Sequence, residues 1–429
     1  MKCLRIVTNL MIAACFGLGS VSAQAIAIRG GTVHTLAGPD IEGGTVVIEG
    51  GLISAVGTNV SVPAGAQVID ATGLDVYPGL FDAMSQLGLT EIGAVDVTND
   101  YMELGEYNPH LLAMTAVHPA SELIPVARAN GITHTVTAPM ARSGGIGGQG
   151  SLINLDGWTV EDMVIEPSVG LVLSWPSLQT RRFNYETFST TQRSFREAEE
   201  QYQASIKQLE DWLESARDYK AALEAGIEME PDLKLAALVK VIDGELPFLV
   251  SANSEREIND ALDFAKENEV RMILVNPREA WKVAERLAEE GVPVILGPTQ
   301  SLPREEDSPY DLVYATPGQL YAAGVKFCFA SFDASASRNL PYEAGTAVGY
   351  GLPREEALKA LTINPAEILG VGDRLGTIES GKIANIVVTD GDPLEIQTQF
   401  LHLVINGLIS NTDNKHKALY EKYRARPKK

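Results

Sequence analysis

Pro78-Gly79-Leu80-Phe81-Asp82-Ala83-Met84-Ser85-Gln86 reads as a short buried strand that ends in a polar turn. Pro-Gly punctuates its start, and a brief, nearly continuous apolar run is the form of a strand covered on both faces. From residue 78 to about 372, apolar runs such as Pro247-Phe248-Leu249-Val250 and Met272-Ile273-Leu274-Val275 alternate with helical stretches. That alternation is the pattern of the α/β class, here a (β/α)8 TIM-like barrel. Residues 26–77 instead alternate short β-rich runs with Gly-rich turns, among them Thr45-Val46-Val47-Ile48. A second β cluster occupies roughly 375–412 and ends with Leu403-Val404-Ile405-Asn406-Gly407. A charged helical insertion near 190–241 reads as an extra layer on the barrel or a surface for a partner.

The quoted strand resembles the first barrel strand of metal-dependent amidohydrolases, the imidazolonepropionase-like branch in particular. In that family the strand runs Pro-Gly-aliphatic-x-Asp-x-His-x-His, and its two histidines hold the metal. Two further stretches carry the resemblance. Ala360-Leu361-Thr362-Ile363-Asn364-Pro365-Ala366-Glu367-Ile368-Leu369-Gly370 is similar to the last barrel helix. Asp373-Arg374-Leu375-Gly376-Thr377-Ile378-Glu379-Ser380-Gly381-Lys382 opens a segment similar to the returning β-hairpin. The resemblance implies that 26–77 and 375–412 join into one small β-sandwich built from both chain ends.

It also implies a ligand set that can be compared position by position. Met84 and Gln86 stand where the strand's histidines would be. Val172 stands for the fourth strand's lysine, Ser251, in the run Ser251-Ala252-Asn253, for the fifth strand's histidine, and Asn276 for the sixth's. Asp333 keeps the place of the eighth strand's aspartate, the residual catalytic candidate. Thioether, amide and hydroxyl are poor donors for a zinc-like ion. Of the six histidines, no pair has the strand or helix spacing that would set two imidazoles on one ion. His134, within an apolar run, reads as a hydrogen-bonded barrel residue. Asp82, Glu91, Asp96, Glu103 and Asp333 could form an oxygen-only site, which would suit calcium or magnesium. The simpler reading is that acidic loop residues are solvated.

The expectation is therefore a barrel without a cofactor, in which Ser85, Gln86, Asn253, Asn276 and Gln149 line a pocket for a small polar ligand. Hydrolysis of non-peptide C–N bonds in small amides or cyclic imides, which the resemblance implies, would be slight. The alternative is an active amidohydrolase using Asp333 with zinc or another divalent metal, held unusually. Pairing with an active homologue or with further copies of the chain is a third expectation.

A net charge of −22 argues against nucleic acid and anionic membranes as partners. The basic tail from Lys415 to Lys429 is the exception and reads as a solvated terminus. Residues 1–23 form an export signal, with Lys2 and Arg5, an apolar run through Phe16 and small residues to Ala23. A periplasmic or secreted protein follows, in preference to a lipoprotein anchored at Cys15. Cleavage leaves Cys328 alone, so no intrachain disulfide forms, and its apolar strand makes it a packed core thiol. Gly145-Ile146-Gly147-Gly148-Gln149-Gly150 satisfies Gly-x-Gly-x-x-Gly, but it precedes a strand-like run and not a helix. It is expected to be a flexible loop over the barrel mouth.

Overall fold

The computed structural model describes residues 24–178, 180–184, 189–303 and 307–427. The expected export signal, residues 1–23, lies outside them. Five strands precede the barrel: β1 Ile26–Val33, β2 Ile41–Glu49, β3 Leu52–Gly57, β4 Gln67–Asp70 and β5 Asp75–Pro78. The barrel begins with β6 Leu80–Ser85, β7 Ile132–Thr137, β8 Ile146–Asn154 and β9 Val164–Ser174. A hairpin, β10 Arg181–Asn184 and β11 Ser189–Gln192, then leads to the helix Phe195–Glu224. The barrel resumes with β12 Phe248–Ser251, β13 Met272–Val275, β14 Val294–Leu296 and β15 Phe327–Phe329. β16 Ile386–Thr389, β17 Phe400–Ile405 and β18 Leu408–Ser410 complete the strands.

Hydrogen bonding orders the barrel sheet β15-β14-β13-β12-β9-β8-β7-β6. Neighbours are parallel except at β8, which runs antiparallel to both β7 and β9. Inward side chains, including Phe81, Val136, Leu152, Leu249, Ile273 and Cys328, fill the interior. The short helix Ile363–Ile368 closes the end where the strands begin, adding Ala366 and Ile368 to the same cluster.

The first and last strands, β6 and β15, share no ladder, and other groups close the seam between them. At the bottom, the Phe81 and Phe329 amides donate to the Leu361 and Ala360 carbonyls at 2.8 and 3.1 Å. Higher up, Asp82 accepts from the Ser331 amide at 3.0 Å, the Ser331 hydroxyl at 2.6 Å and the Ser337 hydroxyl at 2.7 Å. At the top, the Phe332 amide donates to the Met84 carbonyl at 2.9 Å.

The chain ends form one hydrogen-bonded sheet, ordered β18-β17-β16-β5-β1-β2-β3 with β4 on β1. The two chain ends thus join as expected, and their strands share one apolar core, with Ile28, Val46, Val76, Ile386 and Val404 among its members. Strand β5 joins the halves, lying parallel to β1 and antiparallel to β16. Asn385 ties this sheet to the barrel floor. Its carbonyl accepts from Gly79, its amide donates to Asn154 at 2.8 Å and meets His134 Nδ1 at 3.3 Å, and its oxygen accepts from Asn406.

The helical insertion packs by one stripe. Ala198, Tyr202, Leu209, Leu213 and Ala216 of the 195–224 helix are buried at helical spacing, and Ser194 with Glu197 caps its start. Tyr202 links it to the barrel, accepting from Trp175 Nε1 at 2.9 Å and donating to Asp260 at 2.7 Å.

The glycine run corrects one expectation. Residues 146–150 are not a loop over the mouth but part of β8, buried throughout. Glycine is needed there because other backbone crosses at close range. A Cβ on Gly147 would lie 2.4 Å from the Met140 carbonyl oxygen, and one on Gly145 would lie 2.4 Å from that of Glu106. Gly147→Ala should therefore lower stability by about 2–4 kcal/mol, through forced backbone displacement. Equilibrium denaturation measures this, and a change under about 0.5 kcal/mol would show that the crossing yields freely.

Candidate ligand site at the barrel mouth

Strand register sets which side chains reach the mouth. Val172, Leu249 and Ile273 are level with one another and with Gly148, in a middle layer. One inward step higher, Ser174 is level with Ser251, Val275, Ile295 and Cys328. Val172 therefore lies below the rim, packed in the interior cluster, and Ser174 stands beside Ser251 in its place. Two residues along a strand return to the same face, so Ser174 was the other candidate legible in the run.

The rest of the mouth is half apolar and half amide. Met84 belongs to the interior cluster, and Phe332 packs against that cluster with a left-handed φ of 53°. An aromatic residue in that region is uncommon and is held only by its surroundings. Here the Met84 carbonyl and the serines on Asp82 fix the turn. Asn276, with φ 49°, ends β13 and donates its amide to the Ile295 carbonyl. Its side chain lies across Gly297, where a Cβ would be 2.1 Å from Asn276 Oδ1. Gln86, just past the end of β6, and Ser251 and Asn253, at the end of β12, are half-buried. Asn253 begins the turn capped by Glu257, which accepts from its amide at 3.2 Å.

Asp333 is exposed at the same rim. Its Oδ1 accepts from the Ser335 amide and hydroxyl and from the Ala336 amide, at 2.7–2.8 Å. Among the described residues Oδ2 accepts no hydrogen bond.

Two expected pocket residues are elsewhere. Ser85 is buried with its hydroxyl on Thr135 Oγ1 at 2.8 Å, away from the axis. The register shift between Asp82 and Ser85 is the reason, because it places Met84 inside and turns Ser85 outward. Gln149 is level with Leu171 of the outer core and donates to the Pro109 carbonyl at 2.8 Å beneath a covering loop. Its Oε1 is buried without a partner among the described residues.

The carboxylates do not converge. Asp82 is in the seam, Asp96 and Glu103 are exposed on loops, and Glu91 accepts from the Glu122 amide. Among the described residues no three His, Cys, Asp or Glu groups meet as a metal set. His134 is on the floor, bonded to Thr133 at 2.7 Å and tilted on Phe81, and burial pushes its pKa down to about 3. His34 pairs with Asp40 and Asp75 in the outer sheet. Burial raises the Cys328 thiol well above its usual value, an inert core group. A zinc-like ion needs imidazole, thiolate or carboxylate donors, and a mouth of thioether, hydroxyls, amides and one carboxylate does not fit it. A cavity of about 610 Å³ opens at the barrel's other end, near Pro247, Met272 and Pro293. Barrel proteins carry their chemistry where strands end, so the mouth is the candidate.

This is an α/β-barrel protein of the hydrolase type, with a second sheet drawn from both chain ends. The chain belongs to the amidohydrolase family, whose match spans residues 166–415. It is 27% identical to an amidohydrolase from Thermotoga maritima, with a TM-score of 0.77 over 90% of this chain and 99% of that one. It is 25% identical over 397 residues to the amidohydrolase tasK of Hapsidospora irregularis, covering 85% of this chain. This chain spans 39% of that protein's length. A 55-residue stretch, 13% of this chain and 14% of the other, is 49% identical to the imidazolonepropionase of Thermoplasma volcanium.

Burial pushes the Asp82 carboxyl up to about 6, against its donors, which act to lower it. Its unfolded value is 3.8, so its proton is held more tightly in the fold. Its stabilising contribution is full below about pH 4 and is lost as pH rises through about 6. Relative to Asp82→Asn, the native chain should lose about 3 kcal/mol between pH 4 and 7. Denaturation of both at stepped pH reads this difference, and a constant gap would refute the assignment.

Proposed function

We propose that this chain is a metal-free, imidazolonepropionase-like member of the amidohydrolase family that binds a small polar ligand at its barrel mouth and hydrolyses little. What supports the reading is the chemistry of the residues at these strand ends: Met84, Gln86, Ser174, Ser251, Asn253 and Asn276 are neutral, and Asp333 is the carboxylate beside them. Neutral groups leave no uncompensated buried charge where a dication would otherwise balance it. Amides and hydroxyls both donate and accept, which suits a small amide or cyclic imide. Asp333 Oδ2 adds an acceptor for a ligand N–H. The export signal in residues 1–23 supports a periplasmic or secreted setting.

A second reading, retained hydrolysis through Asp333, is favoured by family membership and by the exposure of Asp333. A lone carboxylate is a weak base for water without a Lewis acid.

Metal analysis of the protein purified without chelator, and again after zinc incubation, should find far less than one ion per chain. Near-stoichiometric metal would sink the proposal. So would hydrolysis of a small cyclic imide that Asp333→Asn abolishes.

A further inference from the structure

The C-terminal helix Lys415–Arg424 buries none of its residues. Helices shorter than about 12–15 residues are marginal in water without packing. Asn414 caps this one, accepting from the Lys417 amide at 3.0 Å, yet its apolar stripe is uncovered. Leu419, Tyr420 and Tyr423 share one face, with Tyr420 62% and Tyr423 59% exposed. Lys415, Lys417, Lys422, Arg424 and Arg426 surround it.

A second surface has the opposite charge. Between the helices Phe195–Glu224 and Leu233–Ile242, Leu223, Ile227, Met229 and Leu233 are all exposed. Glu224, Glu228, Glu230 and Asp232 are interleaved with them. Scattered exposed apolar residues are ordinary, but a cluster this dense marks a contact surface.

We propose that these surfaces dock between two copies of the chain, the C-terminal helix of each seated on the 223–233 segment of the other. No helix residue is buried, so the contact is not made within one copy. Basic side chains meet carboxylates, and the tyrosine stripe meets Leu223, Ile227, Met229 and Leu233. A two-fold arrangement makes both contacts together and closes the assembly. The net charge of −22 opposes association at long range, so the dimer depends on this local pairing.

Sedimentation equilibrium of the full chain should give a dimer, and truncation after Asp413 a monomer. Among the described residues the truncation removes exposed ones and the half-buried Asn414, and unchanged circular dichroism would confirm that the body stays folded. Lys417→Glu with Lys422→Glu should weaken association about tenfold or more, as should Glu228→Lys with Glu230→Lys. Combining the two pairs should restore it to within about threefold. A monomeric native chain, a dimeric truncation or failure of the combined variant to recover would each overturn the proposal. Capture of a monomer on phosphatidylglycerol vesicles would assign the helix to lipid and overturn it too.

Discussion

The structure depends on the carboxylate of Asp82. A closed barrel must leave no edge, yet β6 and β15 form no ladder. One side chain substitutes for several ladder bonds, because a carboxylate accepts from several donors at once. Through Ser331 and Ser337 it joins the first strand, the last strand and the turn before the helix Leu340–Gly349. That junction sets Phe332 in its left-handed conformation and leaves Asp333 at the rim. Burial of the same group opposes its ionisation, so the seam is held at an electrostatic cost.

The floor obeys a related constraint. Asn385, beside the outer sheet's β16, bonds to Asn154 and Asn406 and meets His134 Nδ1 inside an otherwise apolar junction. Buried polar groups of this kind hold a single arrangement, because sliding the sheet would strand each of them. The outer sheet and the barrel are thereby fixed to each other through hydrogen bonds. The mouth sits at the far end of this fixed frame, where Ser174, Ser251 and Asn276 are set by register and not by bonds to one another.

Much of the barrel was legible because its strands are short apolar runs between polar turns, and Leu249 and Ile273 were readable as such. Strand register was less so. Val172 and Ser174 lie on one face, and only pairing with β12 decides which is level with Ser251. Ser85 was misplaced because a register shift after Asp82 inverts the alternation that a plain strand would keep. Gln149 and its glycines read as a loop, since few side chains there are bulky. The glycines are instead where Met140 and Glu106 backbone crosses β8, and a distant crossing leaves no local mark.

By itself the sequence determined the α/β barrel, the contribution of both ends to one further sheet, and the scarcity of metal-type donors at the strand ends. The alternation of apolar runs and helical stretches carried the barrel, while the joining of the chain ends and the positions to compare for metal donors came from the resemblance of the quoted motifs to the amidohydrolase family. The tertiary structure alone decided how the barrel closes, which serine reaches the rim, and that the basic C-terminal helix stands uncovered. Each of those rests on contacts between residues far apart, such as Asp82 with Ser331 or Asn385 with His134. Distances of that kind are set by packing the whole chain and are not encoded in any one stretch of it.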